Sequence, residues 1–246
     1  MKDLFSAQAD LYAKYRPVYP GSLYEFILGL VKRREIAWDC ATGNGQVACV
    51  LASHFQHVRA TDISDGQLQH AVRQKNIQYS ISPAEQTPFD DNIFDLITVA
   101  QAYHWFDGTK FCAEATRVGR PGAVVAIWGY DLAYTNSPVD KLVREWNFDI
   151  LSPYWEKERK HVYTHYDDLP FTFERLDTPE FQIEVRWKRE ELVGHMRTWS
   201  ALQRMRTHVG EGPFEQIVAR ISDAWKSNDT KQFIFPLFLK VGRVKK

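Results

Sequence analysis

The sequence predicts a doubly wound α/β domain, a mostly parallel seven-stranded sheet with helices on both faces and a helical cap or insertion. Two observations carry this. Short apolar runs alternate with helical-period stretches through the first half of the chain, the pattern of strand–helix–strand units whose sheet is covered on both sides. One such run, Glu35-Ile36-Ala37-Trp38-Asp39-Cys40, passes straight into Ala41-Thr42-Gly43-Asn44-Gly45-Gln46. A glycine pair there lets backbone approach a ligand that a side chain would block.

The elements follow in order. Arg16-Pro17-Val18-Tyr19-Pro20 is held extended by its prolines, and residues 1–20, with Phe5, Tyr12, Tyr15, Arg16 and Tyr19, are expected either to pack on the sheet or to form a lid. Ser22 is placed to cap a helix over 23–32, whose Leu23, Phe26, Ile27, Leu30 and Val31 keep the helical period. After the glycine loop come a helix over 47–55, a strand over 58–61 ending at Asp62, a helix over 66–73, strands over 77–81 and 94–100, a helix over 109–117 and a strand over 123–128. From about 131 to 176 the regularity breaks into aromatic-rich pieces holding Trp146, Tyr154, Trp155 and Tyr163, read as a cap over the cleft. A strand over 181–187, helices over 190–205 and 214–225, and a last strand over 232–241 complete the chain; Pro236 predicts an edge, bulge or break there.

The chain has 246 residues, enough for one domain, 1–246, with a lid and a cap. Lys+Arg and Asp+Glu both total 31. With no basic half, a nucleic-acid backbone is not the expected partner. Three cysteines, Cys40, Cys49 and Cys112, suit neither a disulfide framework nor a metal site. The opening segment lacks the apolar core of a signal peptide and no apolar run reaches membrane-spanning length, so a cytoplasmic protein without membrane contact is expected. The oligomeric state is not legible. Aromatics at 14%, with eight tryptophans, point to an aromatic-lined cleft.

Gly43-Asn44-Gly45-Gln46-Val47-Ala48 also fits a dinucleotide-binding pattern, and Asp62 follows 62 − 45 = 17 residues on, near the place of a ribose-binding acid. Asp39 discriminates. A pyrophosphate seated on the helix N-terminus gains nothing from a neighbouring carboxylate, whereas S-adenosylmethionine has no phosphate and carries an ammonium and a sulfonium.

Ser82-Pro83-Ala84-Glu85 follows the third strand, and Pro88-Phe89-Asp90-Asp91-Asn92-Ile93-Phe94-Asp95-Leu96-Ile97 leads into the fourth. Taken with the loop and the second-strand acid, the chain resembles class I S-adenosylmethionine-dependent methyltransferases. Val99-Ala100-Gln101-Ala102-Tyr103-His104-Trp105-Phe106-Asp107 and the stretch Arg117-Val118-Gly119-Arg120-Pro121-Gly122, continuing to Tyr130, narrow this. They are similar to the methyltransferase type 11 group, which includes the trans-aconitate methyltransferase-like proteins. Tyr12-Ala13-Lys14-Tyr15-Arg16-Pro17 and Arg197-Thr198-Trp199-Ser200-Ala201 extend the resemblance over most of the chain. One departure is Ala41, where the group's first loop glycine stands; it is compatible with a turn if it keeps a negative φ.

The resemblance implies a Rossmann-like fold and S-adenosylmethionine as cofactor, with S-adenosylhomocysteine as product. It implies a cofactor site of Asp39, Ala41, Gly43 and Gly45 around the methionine part, Asp62 on the ribose, Ala84 and Glu85 near the adenine, and Gln101 at the end of the fourth strand. The acceptor is expected to be a small molecule, a carboxylate or other oxygen nucleophile, held by Arg16, Tyr19, His104, Trp128, Tyr130 and Trp199. Methylating a carboxylate needs no base. For a hydroxyl or amine acceptor His104 is the candidate base, with an alternative role as an orienting residue. An RNA- or protein-modifying enzyme, or a protein that holds the cofactor without turnover, are the alternative readings.

Overall fold

The structure, a computed structural model, describes residues 15–226 and 229–246. Phe5, Tyr12 and the rest of the expected lid before Tyr15 lie outside the described residues.

In chain order the elements are α1 (Gly21–Leu30), β1 (Ile36–Cys40), α2 (Gln46–Ala52), β2 (His57–Asp62), α3 (Asp65–Gln69), β3 (Ile77–Ile81), β4 (Phe94–Ala100), α4 (Gly108–Val118) and β5 (Gly119–Tyr130). Then follow α5 (Val139–Arg144), α6 (Lys160–Tyr163), β6 (Glu174–Arg175), β7 (Phe181–Trp187), α7 (Arg189–Arg197), α8 (Ser200–Val209), α9 (Gly212–Trp225) and β8 (Lys231–Arg243). The sheet runs β3-β2-β1-β4-β5-β8, and the position beyond β8 is shared by β6 and β7. It therefore has the seven expected positions filled by eight segments. Strands β1 to β5 are parallel neighbours, and β8 lies antiparallel to β5, β6 and β7.

The sheet separates two apolar layers. Val124, Ala126 and Trp128 of β5 pack into one, with Ala37, Val58 and Leu96, while Val125 and Ile127 pack into the other with Trp38, Ile97 and Phe111. Alternation along the strand produces this division, and burial on both faces is why β1, β4 and β5 read as continuous apolar runs.

Four details differ from the sequence reading. Ser22 does not cap α1, which begins at Gly21 with Pro20 before it; proline has no N–H to leave unsatisfied at a helix start. The stretch over 190–205 is two helices, broken at Thr198-Trp199, where the Thr198 hydroxyl donates back to the His195 carbonyl at 2.7 Å. The predicted helix over 66–73 is only the five residues of α3, capped by Ser64. Pro236 stands in an interior strand, paired with Gln182 on one side. Its carbonyl accepts from the Asp131 N–H just past the end of β5. In an antiparallel strand a residue's nitrogen and carbonyl point the same way, so the missing donor falls where β5 has already given out.

Candidate active site

The carboxyl ends of β1, β2 and β4 open into a cleft of about 1150 Å³, its solvent-open mouth included. Asp39, near the end of β1, is buried there. Its Oδ2 accepts from Thr42 Oγ1 at 2.5 Å and Ala48 N at 3.0 Å, and its Oδ1 accepts from Thr98 Oγ1 at 2.9 Å. Burial outweighs these bonds, so the Asp39 carboxyl is pushed up from 3.8 to about 6, with Asp62 adding a smaller upward push. Asp39 lines the cleft, yet these three protein donors make it first the brace of the loop that follows.

Ala41 has φ +54°, not the negative φ expected of it. The loop must turn sharply enough for Thr42 N to donate to the Thr61 carbonyl at the end of β2, 2.9 Å away, and a left-handed residue makes that turn. A methyl group in this region costs on the order of 1 kcal/mol. Gly43, at φ +56°, donates its N–H to Asp62 Oδ2 at 2.8 Å, and Ser64 N donates to Asp62 Oδ1 at 2.9 Å. The second-strand acid and the glycine loop are thus one hydrogen-bonded unit, and both line the cleft.

Gly45 is different. It has φ +85° and caps α2, and a Cβ there would collide with the Tyr79 hydroxyl. Gly45 is not among the residues lining the cleft, and the turn into α2 alone accounts for a glycine there. Ala84 lines the cleft. Glu85 does not; its Oε1 accepts from Asp107 N at 3.0 Å, which ties the third-strand loop to the start of α4.

A second chamber of about 840 Å³, again open to solvent, adjoins the first. Arg16, Gln101, Trp105 and Tyr130 line both. Gln101, the residue after β4, has φ +54°, and its Oε1 accepts from Tyr130 N at 2.8 Å. Arg16 reaches the same place from the chain ahead of α1 and donates to the Tyr130 hydroxyl at 2.5 Å. Behind it, His195 Nδ1–H donates to the Tyr15 carbonyl at 3.1 Å, and a Cβ at Gly194 would collide with the Tyr15 ring. Tyr15 is therefore seated on α7, its ring over Gly194 where a side chain is missing and its carbonyl held by His195.

Of the other predicted acceptor residues, Tyr19 lines the first chamber and His104 and Trp199 the second. Trp128 lines neither. It points to the same sheet face as Tyr130 but one rung lower, where Tyr19 covers it edge-on at 5.5 Å, and it is fully buried. The two chamber histidines have the same electrostatic character. His104, hydrogen-bonded through Nδ1 to the Tyr166 hydroxyl at 3.1 Å, is pushed down to about 3, first by burial and then by Arg159, His161 and Arg16. His195 is also pushed down to about 3, by burial and Arg16, against the opposing bond to Tyr15. Both are neutral at physiological pH.

Sequence reading missed Trp105, Trp155, Arg159, Gln67 and His195, all of which line one chamber or the other. Trp105 was within reach, being next to His104 in a quoted motif. Trp155 and Arg159 flank a charged run, Glu156 to Glu158, whose orientation no spacing reveals. Among the described residues, no His, Cys, Asp and Glu group could hold a metal ion, and no helix is long and apolar enough to cross a membrane.

Parallel strands ordered β3-β2-β1-β4-β5, with a ligand cleft where the order reverses beside β1, define a doubly wound nucleotide-cofactor fold. The methyltransferase domain family matches residues 38–127, from β1 to β5. A structure of a candidate type II methyltransferase from Anaeromyxobacter dehalogenans is similar, with TM-score 0.86 and 35% identity over 94% of this chain and 99% of that one. A candidate methyltransferase of Dictyostelium discoideum is 29% identical over 249 residues, 98% of this chain and 95% of its own. One from Bacillus halodurans shares the fold, with TM-score 0.57 and 17% identity over 92% of this chain and 100% of that one. The chain belongs to the class I S-adenosylmethionine-dependent methyltransferases.

Proposed function

We propose that the protein methylates a small molecule held in the second chamber, at an oxygen that is already anionic, a carboxylate being the simplest case. The observation that carries this is the pair of chambers joined across Arg16, Gln101, Trp105 and Tyr130. The first chamber fits the cofactor by its chemistry: carboxylates at Asp39 and Asp62, a loop with backbone at positive φ, and apolar Ala84 and Phe106 on the far side. When bound, S-adenosylmethionine supplies an electrophilic methyl group.

The chain's own residues do the rest. Asp62 accepts from the ribose hydroxyls, held in place by the Gly43 and Ser64 amides. Asp39 keeps the loop in shape and adds negative potential beside a cationic ligand. Gln101, fixed by Tyr130 N, borders the opening, and residues 15–20 with the cap, 131–176, exclude water from it. His104 contributes orientation only: a base pushed down to about 3 takes a proton too weakly to activate a neutral hydroxyl or amine. An acceptor that arrives as an anion needs only alignment and desolvation. Placement in the trans-aconitate methyltransferase-like subgroup would agree with such an acceptor. The test is a screen of carboxylates, phenols and amines for release of S-adenosylhomocysteine. Turnover confined to oxygen acids is expected; turnover of amines, or of RNA or protein alone, would overturn the reading.

A further inference from the structure

The second chamber is lined by two arginines, Arg16 and Arg159, and two carboxylates, Glu156 and Asp131. Its two carboxylates are already engaged: Glu156 Oε1 is paired with Arg204 at 2.5 Å, and Asp131 with His165 at 2.9 Å. Its two histidines are neutral. Arg159, at the end of a 3-10 turn over Lys157–Arg159, faces the chamber with its guanidinium 3.8 Å from the centroid of the Trp155 ring, and its Nε donates to the Tyr163 hydroxyl at 3.1 Å. Among the described residues, no carboxylate comes within ion-pair distance of it. An arginine stacked on a tryptophan keeps its planar fork available edge-on, the geometry suited to a carboxylate. Trp155 in turn lies against Trp199, centroids 5.8 Å apart and rings tilted by 44°, so aromatic surface continues beside the cation.

We infer that Arg159 is the specificity-determining anchor for a carboxylate on the acceptor, and that Trp155 and Trp199 border its apolar part. Arg159 is not one of the four residues common to both chambers, so a carboxylate held there is set back from the opening. An oxygen ion-paired to a guanidinium also has its lone pairs and charge engaged and is a weak nucleophile. The anchoring carboxylate is therefore a different group from the one methylated, and the acceptor carries both. This inference rests on the assignment of the second chamber to the acceptor.

The test uses the full chain saturated with S-adenosylhomocysteine, with binding of benzoate and of its neutral isostere benzamide read by tryptophan fluorescence. S-adenosylhomocysteine is first titrated by calorimetry; failure to bind would overturn the proposed function itself. With it bound, benzoate is expected to bind at least about tenfold tighter than benzamide, the scale of one charge-assisted hydrogen bond. Arg159→Gln should erase that preference without changing S-adenosylhomocysteine affinity, and Arg159→Lys should restore part of it. Equal affinity for the two probes, no binding of either, or a preference surviving in Arg159→Gln would overturn the anchor while leaving the cofactor assignment intact.

Discussion

The two chambers are built by different rules. The first is assembled mainly from strand ends and the turns directly after them: Asp39 near the end of β1 and Ala41 to Gly43 after it, Asp62 at the end of β2, Ala84 after β3 and Gln101 after β4. Each position is dictated by local backbone geometry in a parallel sheet, so the parts occur in fixed order along the chain. The second draws on residues from Arg16 to Phe235, contributed by the segment before α1, the loop after β4, the end of β5, the stretch over 131–159, α7, the start of α8 and β8. Nothing local relates these to one another. A chamber made of turns is read from local motifs; in the one made by docking distant elements, Arg16, His104, Tyr130 and Trp199 came from the family resemblance, and Trp155, Arg159 and His195 were missed.

That contrast can be broken or sharpened at particular residues. The largest effect is expected at Asp39. Its carboxyl titrates near 3.8 when unfolded and about 6 when folded, so between these values the folded state holds a proton that the unfolded state has lost. Its contribution is fully present below about pH 4 and is lost as pH rises through about 6, by about 3 kcal/mol in all. Denaturant unfolding across this window should show that slope in the native protein, and Asp39→Asn should flatten it. An identical slope in both would mean that Asp39 is not the buried brace described.

Next is Asp62. Asp62→Ala removes the acceptor for ribose and leaves the Gly43 amide without its partner. Cofactor affinity should fall by about 1.5–3 kcal/mol, roughly tenfold to a hundredfold. Calorimetry on a folded variant with native affinity would remove Asp62 from the site. A smaller gain is expected from Ala41→Gly. Relief of a left-handed alanine, less the added entropy of the unfolded chain, should raise stability by about 0.5 kcal/mol. Unchanged or lowered stability would contradict the strained turn.

The smallest effect belongs to the second chamber. His104→Gln should cost less than about threefold in turnover. No limb of the pH–rate profile should fall near the ordinary histidine value, because the ring stays neutral down to about pH 3. A limb between pH 6 and 7 that disappears in the variant would restore His104 as a base.

The glycine loop, the two acids and the mostly parallel sheet were legible because their chemistry is written in contiguous residues. Gly45 and Glu85 show the limit even there. Both stand in the right motif, yet one glycine makes room for Tyr79 and the glutamate ties down the Asp107 amide. Trp128 was misplaced by a single rung of β5, which sequence alternation cannot resolve because both positions share a face. Trp155 was noted only as one aromatic of the 131–176 stretch, and Arg159 was passed over, because a charged run in an irregular segment looks the same whether it faces solvent or a cleft.

The division of labour between the chambers is tested most directly by a crystal structure with S-adenosylhomocysteine. The account predicts the ligand in the first chamber, its ribose hydroxyls on Asp62 and its adenine beside Ala84, with its sulfur directed at the opening bordered by Gln101 and Tyr130. Ligand seated instead among Trp155, Arg159 and Trp199, or a sulfur turned away from that opening, would contradict it.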